Sequence, residues 1–219
     1  MVFWTVPPIW SGQTVCIMAS GPSMSQAVAD AVHKAGVPTI TVNSTWRLAP
    51  WAAMLYAADE EWWRHESNRN ALSFAGLKVS VAEVPGVLRL RNSGTVGFDP
   101  EPFSVRTGGN SGYQALHVAI HAGAARVLLC GFDMQETGGE THWHGEHGWG
   151  LRRTPTPTFE RWCERFAALV PELQARGVDV INCTPRSALT CFSSKPLAEA
   201  LSCAVIRTEM HQQPRRLES

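Results

Sequence analysis

The chain has 219 residues, 44% of them hydrophobic and 17% charged, with 19 Lys and Arg balancing 19 Asp and Glu. That length supports one well-buried core and makes two full domains unnecessary. Net neutrality argues against broad electrostatic capture of nucleic acid or an anionic membrane, and leaves local basic pairs only at Arg152 with Arg153 and Arg215 with Arg216.

In chain order, the start "MVFWTVPPIW" carries two prolines and no basic segment, so it does not read as a signal peptide. "QTVCIMAS" (13–20) is a β-prone apolar run that ends in small residues. "GPSMSQAVADAVHKAG" follows it. Pro22 suits a helix's first turn, Val28, Ala31, Val32 and Ala35 recur at helical spacing, and Gly36 stops the helix. "PTITVN" (38–43) is a second strand, which completes a βαβ unit. "AAMLYAAD" (52–59) predicts a third strand ending in an acid, "KVSVAEV" (78–84) a fourth, and "VLRL" (87–90) a short fifth or an edge.

Residues 92–109 read as a loop. "NSGYQALHVAIHAGAARVLLCGFDM" (110–134) repeats the opening theme. Ser111 is placed to cap a helix, Gly123 ends it, and "RVLLCGFD" is a buried strand. Residues 135–158, rich in Gly, His and Pro, are too long for a simple connector and predict a site or lid loop. "PTFERWCERFAALVPELQARG" predicts a helix with a proline inside, "VDVINC" the last strand, and "PLAEALSC" a short helix before a frayed tail.

Alternating strands and helices predict one α/β domain, Rossmann-like, with a mostly parallel sheet covered on both faces, over a core of about residues 13–190. Cys16, Cys130, Cys163, Cys183, Cys191 and Cys203 form no CxxC pair. Several sit in apolar runs such as "VLLC" and read as reduced buried thiols, which fits a cytoplasmic protein. No apolar run approaches the roughly 18 residues of a membrane span. The composition names no nucleic-acid partner and leaves a homo-oligomer open.

In parallel sheets, ligands bind beyond the carboxyl ends of the strands. The unusual polar residues all fall on that rim: "SGPS" after strand one, Asn43 after strand two, Asp59 after strand three, and "GFDM" with the His-rich loop after the second buried strand. "ASGPSM" offers Ser20, Gly21, Pro22 and Ser23 at a turn that can approach a phosphate. It is neither GxGxxG nor GxxxxGKS/T, and an ordinary βα turn explains it equally well. "GGNSGYQA" is a second glycine-rich helix start, with Asn110, Ser111 and Gly112 as candidate ligand contacts, or with Ser111 as a simple cap. Asp59 and Asp133 can take a ribose hydroxyl or hold a metal, or can cap the next turn. Trp62 and Trp63 can stack on a base, although core packing is the commoner fate of tryptophan.

"THWHGEHGWG" (141–150) sets His142, His144, Glu146 and His147 within six positions. Three imidazoles at this spacing are an alternative zinc set. The stretch is similar to the HxHxDH pattern of metallo-β-lactamase-fold hydrolases, but the only later histidine is His211, so that family's remaining ligands are missing. One imidazole beside a ligand can instead serve as a general base, since its pKa lies near about 6.5. A polar surface loop is the bland reading. His33, His65, His117 and His121 read as structural.

Taken together, "VCIMASGPSM", "TVNST", "NSGYQALHVAIHAGAARVLLCGFDM" and "VDVINCTPRSAL" resemble, over about residues 13–190, a superfamily with two known branches. One is the bacterial sialyltransferases of glycosyltransferase family 42, the other the MptE-like 6-hydroxymethylpterin diphosphokinases. With its "THWHG" loop the whole chain is similar to small phage and prophage proteins, which implies the cytoplasm of a bacterial host.

The resemblance implies a nucleotide on the rim, with a cytidine- or uridine-type nucleotide-sugar as co-substrate rather than a tightly bound cofactor. Gly21, Pro22, Ser23, Asn43, Ser111 and Gly112 match the family's nucleotide contacts, and Gly131 and Asp133 match its G-x-D strand end. The family's histidine general base corresponds to His147, with His144 as alternative. Two departures stand out. Ser20 replaces the family's Asn or Gly, and the tyrosines that the family uses on the leaving phosphate have no clear match, since the chain's only tyrosines are Tyr56 and Tyr113.

The expectation is therefore a nucleotide-dependent transferase, most nearly a glycosyltransferase acting on an unknown acceptor, with Arg152 or Arg153 at the leaving nucleotide. An MptE-like diphosphokinase using ATP and Mg²⁺ is the alternative enzyme. A non-catalytic nucleotide- or metal-binding phage protein is the third reading.

Overall fold

The computed structural model describes residues 2–145 and 156–202. It is an α/β fold built on an eight-stranded all-parallel sheet, an arrangement consistent with a Rossmann-like fold. β1 (Thr14–Met18) leads through α1 (Gln26–Lys34) to β2 (Thr39–Val42). β3 (Met54–Tyr56), the short α2 (Glu60–Arg64), β4 (Leu77–Ser80) and β5 (Leu88–Arg89) extend the sheet in one direction. β6 (Arg91–Asn92) and β7 (Ser104–Val105) form a separate two-stranded parallel pair inside the stretch expected to be loop. α3 (Ser111–His121) then returns the chain to β8 (Arg126–Cys130) on the opposite side of β1. α4 (Thr156–Ala175), β9 (Asp179–Asn182) and β10 (Ser193–Ser194) follow, and residues 197–202 are helical.

The strand order is β10-β9-β8-β1-β2-β3-β4-β5. The chain moves outward from β1 in one direction and later from β8 in the other. The order therefore reverses between β1 and β8, which is where open parallel sheets form a ligand crevice.

Strand side chains alternate between two cores, as a period of two requires. Val15 and Ile17 of β1 join Tyr113, Leu116, Phe166 and Leu169 on the α3/α4 face. Cys16 and Met18 join Ala29 and Val32 of α1 and Trp62 and Trp63 of α2 on the other face. Both tryptophans are thus core residues, 4% and 3% exposed. Among the described residues, no helix is long and apolar enough to cross a membrane.

Several local expectations shift. Pro22 lies in a turn before α1, not in its first turn, because Ser25 is the N-cap and accepts from the Val28 N–H. The third strand stops at Tyr56, so Asp59 begins α2 three residues later. Asn110, not Ser111, caps α3, its side chain accepting from the Tyr113 N–H at 3.1 Å. Pro171 lies within the single helix α4. Of the expected loop 135–158, residues 146–155 lie outside the described residues and 156–158 already belong to α4.

Candidate functional site

The strand ends around the β1/β8 switch enclose a cleft of about 210 Å³. Of the residues expected on the rim, Ser20, Gly21, Asn43, Asp59, Asn110, Ser111, Gly112, Gly131 and Asp133 all line it. Thr141 and His142 close one side, and Phe159 and Trp162 of α4 form a wall. Pro22 and Ser23 do not line it. Ser23 instead faces a neighbouring apolar cavity with Met24 and Cys183.

The GPS turn is held from beneath. The Ser23 N–H donates to Asp133 Oδ1 at 3.1 Å, and the Ser23 hydroxyl to Oδ2 at 2.7 Å. The Gly21 N–H donates to the Gly131 carbonyl at 2.9 Å and the Met24 N–H to the Gly21 carbonyl at 3.0 Å. Pro22 has no N–H to offer. The turn's amides from Gly21 to Met24 are therefore spent within the protein. Gly21 is required because a Cβ there would sit 2.0 Å from Asp133 Oδ2. The turn is shaped for a carboxylate of its own chain. Burial raises the Asp133 carboxyl above the ordinary range, against the lowering effect of the two Ser23 hydrogen bonds.

Donors remain available at α3. The N–H groups of Ser111 and Gly112 are in the first helical turn, ahead of any intrahelical acceptor, and both residues line the cleft. The helix's positive end therefore opens onto it. Its place is fixed by three contacts. The Ser111 hydroxyl accepts from the Ala58 N–H at 3.2 Å, the Tyr56 hydroxyl donates to Gln114 Oε1 at 2.6 Å, and Gln114 Nε2 donates to the Thr107 carbonyl at 3.1 Å. Gly112 lets α3 approach β8, since a Cβ would lie 2.7 Å from the Phe132 ring.

Asn43 has a left-handed backbone, φ 50°, immediately after β2. Its Oδ1 is buried and has no hydrogen-bond partner among the described residues. Strain and an orphaned acceptor at one cleft residue fit a position kept for ligand contact. Asp59 reaches solvent at the cleft, and its side chain makes no capping bond to α2. Desolvation and then the Glu61 charge raise its carboxyl.

The described part of the histidine loop docks on Ser20. The Ser20 carbonyl accepts from the Trp143 N–H at 3.1 Å and from His142 Nδ1 at 3.3 Å. A carbonyl can only accept, so Nδ1 carries the proton and Nε2 is the basic nitrogen. Burial lowers the His142 pKa, which favours the neutral ring. The Trp143 indole donates to Thr45 Oγ1 at 3.3 Å, and the Ser20 hydroxyl donates to the Val42 carbonyl at 3.1 Å. His144 stacks on His142, ring centroids 5.3 Å apart, and does not line the cleft. His147, Glu146, Arg152 and Arg153 lie outside the described residues. Of the alternative ligand set His142, His144 and His147, the third member lies outside the described residues. Among the described residues no group of three or more His, Cys, Asp or Glu is arranged for a metal.

The described lining contains Asp59, Asp133 and His142 but no Lys or Arg. Sequence reasoning offered His142 only as a metal ligand, whereas it lines the described cleft, and it did not foresee the α4 wall. The available signal for that wall was Phe159 and Trp162, three residues apart at the start of the helix that follows the loop. No protein-family model matches the chain, and no curated protein matches it.

Proposed function

We propose that this chain is a nucleotide-dependent transferase that takes a nucleotide-sugar donor in the cleft at the β1/β8 switch. The observation that carries the reading is the convergence of four strand ends and the open first turn of α3 on one cavity, with an orphaned Asn43 Oδ1 in its lining. The Ser111 and Gly112 amides suit an anionic phosphate. Asn43 offers an acceptor to a base N–H or a ribose hydroxyl. Asp133 holds the GPS turn in shape and, as a residue of the lining, would accept from a ribose hydroxyl. The imidazole for deprotonating an acceptor hydroxyl comes from residues 142–147. His142 is supported by its place on the cleft and by the Nδ1–H that it gives to the Ser20 carbonyl, which leaves Nε2 as the basic nitrogen, while His147 and His144 are the candidates the family resemblance favours.

One observation favours a second reading. Two carboxylates and no described cation line the cleft. An ATP-dependent diphosphokinase would bring Mg²⁺ to Asp59 and Asp133, because Mg²⁺ is commonly held by one or two carboxylates plus substrate phosphates.

Thermal denaturation with cytidine, uridine and adenosine nucleotides, each with and without Mg²⁺, separates the two. A rise with pyrimidine nucleotides supports the donor reading, and a rise only with ATP and Mg²⁺ supports the second. No shift with any nucleotide at millimolar concentration overturns both. Turnover assays of His142→Ala, His144→Ala and His147→Ala then identify the base.

A further inference from the structure

We propose that Trp162 is the recognition platform of the cleft, its indole stacking on the flat face of the nucleotide's base. This rests on the nucleotide reading above and adds what holds the base. The walls contributed by strand ends are mostly small and polar side chains, with Val42, Phe132 and Met134 the larger apolar ones. Of the aromatic residues on the cleft, Phe132 is 1% and Phe159 8% exposed, so their rings are already consumed by the core. Trp162 is only half-buried. It supplies the one broad π-surface that the described lining leaves accessible.

That surface is held in place before any ligand arrives. The Phe159 ring meets the indole edge-on, centroids 5.6 Å apart at 83°. One helical turn on, Arg165 donates to the Gly108 carbonyl at 2.6 Å and ties α4 to the segment that leads into α3. Gly109, with φ 63°, lies under the indole's edge, where a Cβ would be 3.5 Å from Trp162 Nε1 and 2.5 Å from Arg165. Among the described residues no acceptor takes the indole N–H, so none of them uses its polar edge. A fixed aromatic face beside free helix-start amides is the pairing that a base linked to a phosphate requires. Stacking tolerates any base, because every base has a π-face.

The test is calorimetric titration of the full chain and its Trp162→Ala, Trp162→Phe and Trp162→Leu variants. The probes are cytidine, uridine and adenosine diphosphates, with ribose 5-phosphate as the ligand that lacks a base. The wild type is expected to hold a nucleotide at least about 10-fold more tightly than ribose 5-phosphate. Trp162→Ala is expected to lose roughly 10- to 100-fold in nucleotide affinity and nothing for ribose 5-phosphate. Trp162→Phe should keep most of the affinity and Trp162→Leu should not. Because both of these fill the space, they decide the matter if the alanine variant fails to fold. Equal affinity in the Phe and Leu variants, or an equal loss for ribose 5-phosphate, overturns the platform while leaving the nucleotide reading intact. Failure of the wild type to bind any nucleotide overturns both.

Discussion

The Ser23 hydroxyl donates to Asp133 Oδ2 at 2.7 Å across 110 residues of sequence. This bond and its neighbour from the Ser23 N–H fasten the turn after β1 to the end of β8, on the line where the strand order reverses. The two residues were expected to touch ligand independently. Their first partner is each other, and the cleft's shape depends on the pair.

Asp133→Asn tests the electrostatic side of that pair. A carboxyl raised in the folded state holds its proton more tightly there than in the unfolded chain. Its contribution to stability is therefore full below the unfolded value near 3.8 and is lost as pH rises through the higher folded value. The amide removes this term and can still accept from the Ser23 N–H. Urea denaturation across that acidic window should show wild-type stability falling, relative to the variant, as pH increases. The within-pair difference cancels Asp59, which shifts the same way, and Asp99, which is lowered to about 2.

His117 gives a pH dependence of opposite sign. The ring is fully buried on α3, with Nδ1 3.1 Å from the Tyr113 carbonyl and Nε2 3.1 Å from the Gly97 carbonyl. A neutral imidazole donates to only one of them. Burial outweighs both carbonyls and lowers its pKa to about 4. A histidine lowered in the folded state stabilises above its unfolded pKa, and this stability is lost as pH falls toward the folded value. Between about pH 7.5 and 5 the wild type should lose about 2 kcal/mol through this group, and His117→Gln should lose correspondingly less. Chemical denaturation at the two pH values measures it.

Gly112→Ala should destabilise the chain by about 1–3 kcal/mol, since the added methyl meets the Phe132 ring at 2.7 Å in a packed interior. The gain of about 1 kcal/mol in helix propensity offsets part of this. Adding Phe132→Leu should recover stability relative to the two single variants summed, and a double-mutant cycle reports that coupling. Strict additivity would show that the contact is relaxed elsewhere.

Asn43→Gly separates stability from binding. Glycine accepts a φ of 50° without strain, and the change deletes a buried, unpartnered Oδ1. The melting temperature should hold or rise, while nucleotide affinity falls about 10-fold, the loss expected for one well-placed hydrogen bond in a closed site. A large drop in melting temperature would mean that the side chain supports the fold.

The elements were legible wherever their signal is local. β1, β2 and β9 are short β-prone runs bounded by small or turn residues, and each was found within a residue or two of its observed limits, whereas β8 starts where expected and ends three residues earlier, at Cys130. The α3 cap was misread because Asn110 and Ser111 are both good capping residues one position apart, and only the backbone, extended at Asn110, decides between them. β6 and β7 were missed because two-residue strands carry no periodicity.

By itself the sequence determined the βα alternation, hence a parallel sheet, hence a single rim bearing Ser20, Asn43, Asp59, Ser111 and Asp133. These are consequences of local propensity and of the direction in which parallel strands must run. Only the tertiary structure decided which of them face one another. Ser23 with Asp133, His142 rather than His144 on the cleft, and Trp162 across from the strand ends all depend on strand order and helix docking. Those are contacts between segments far apart in the chain, and their energies are set by packing that no short stretch of residues contains.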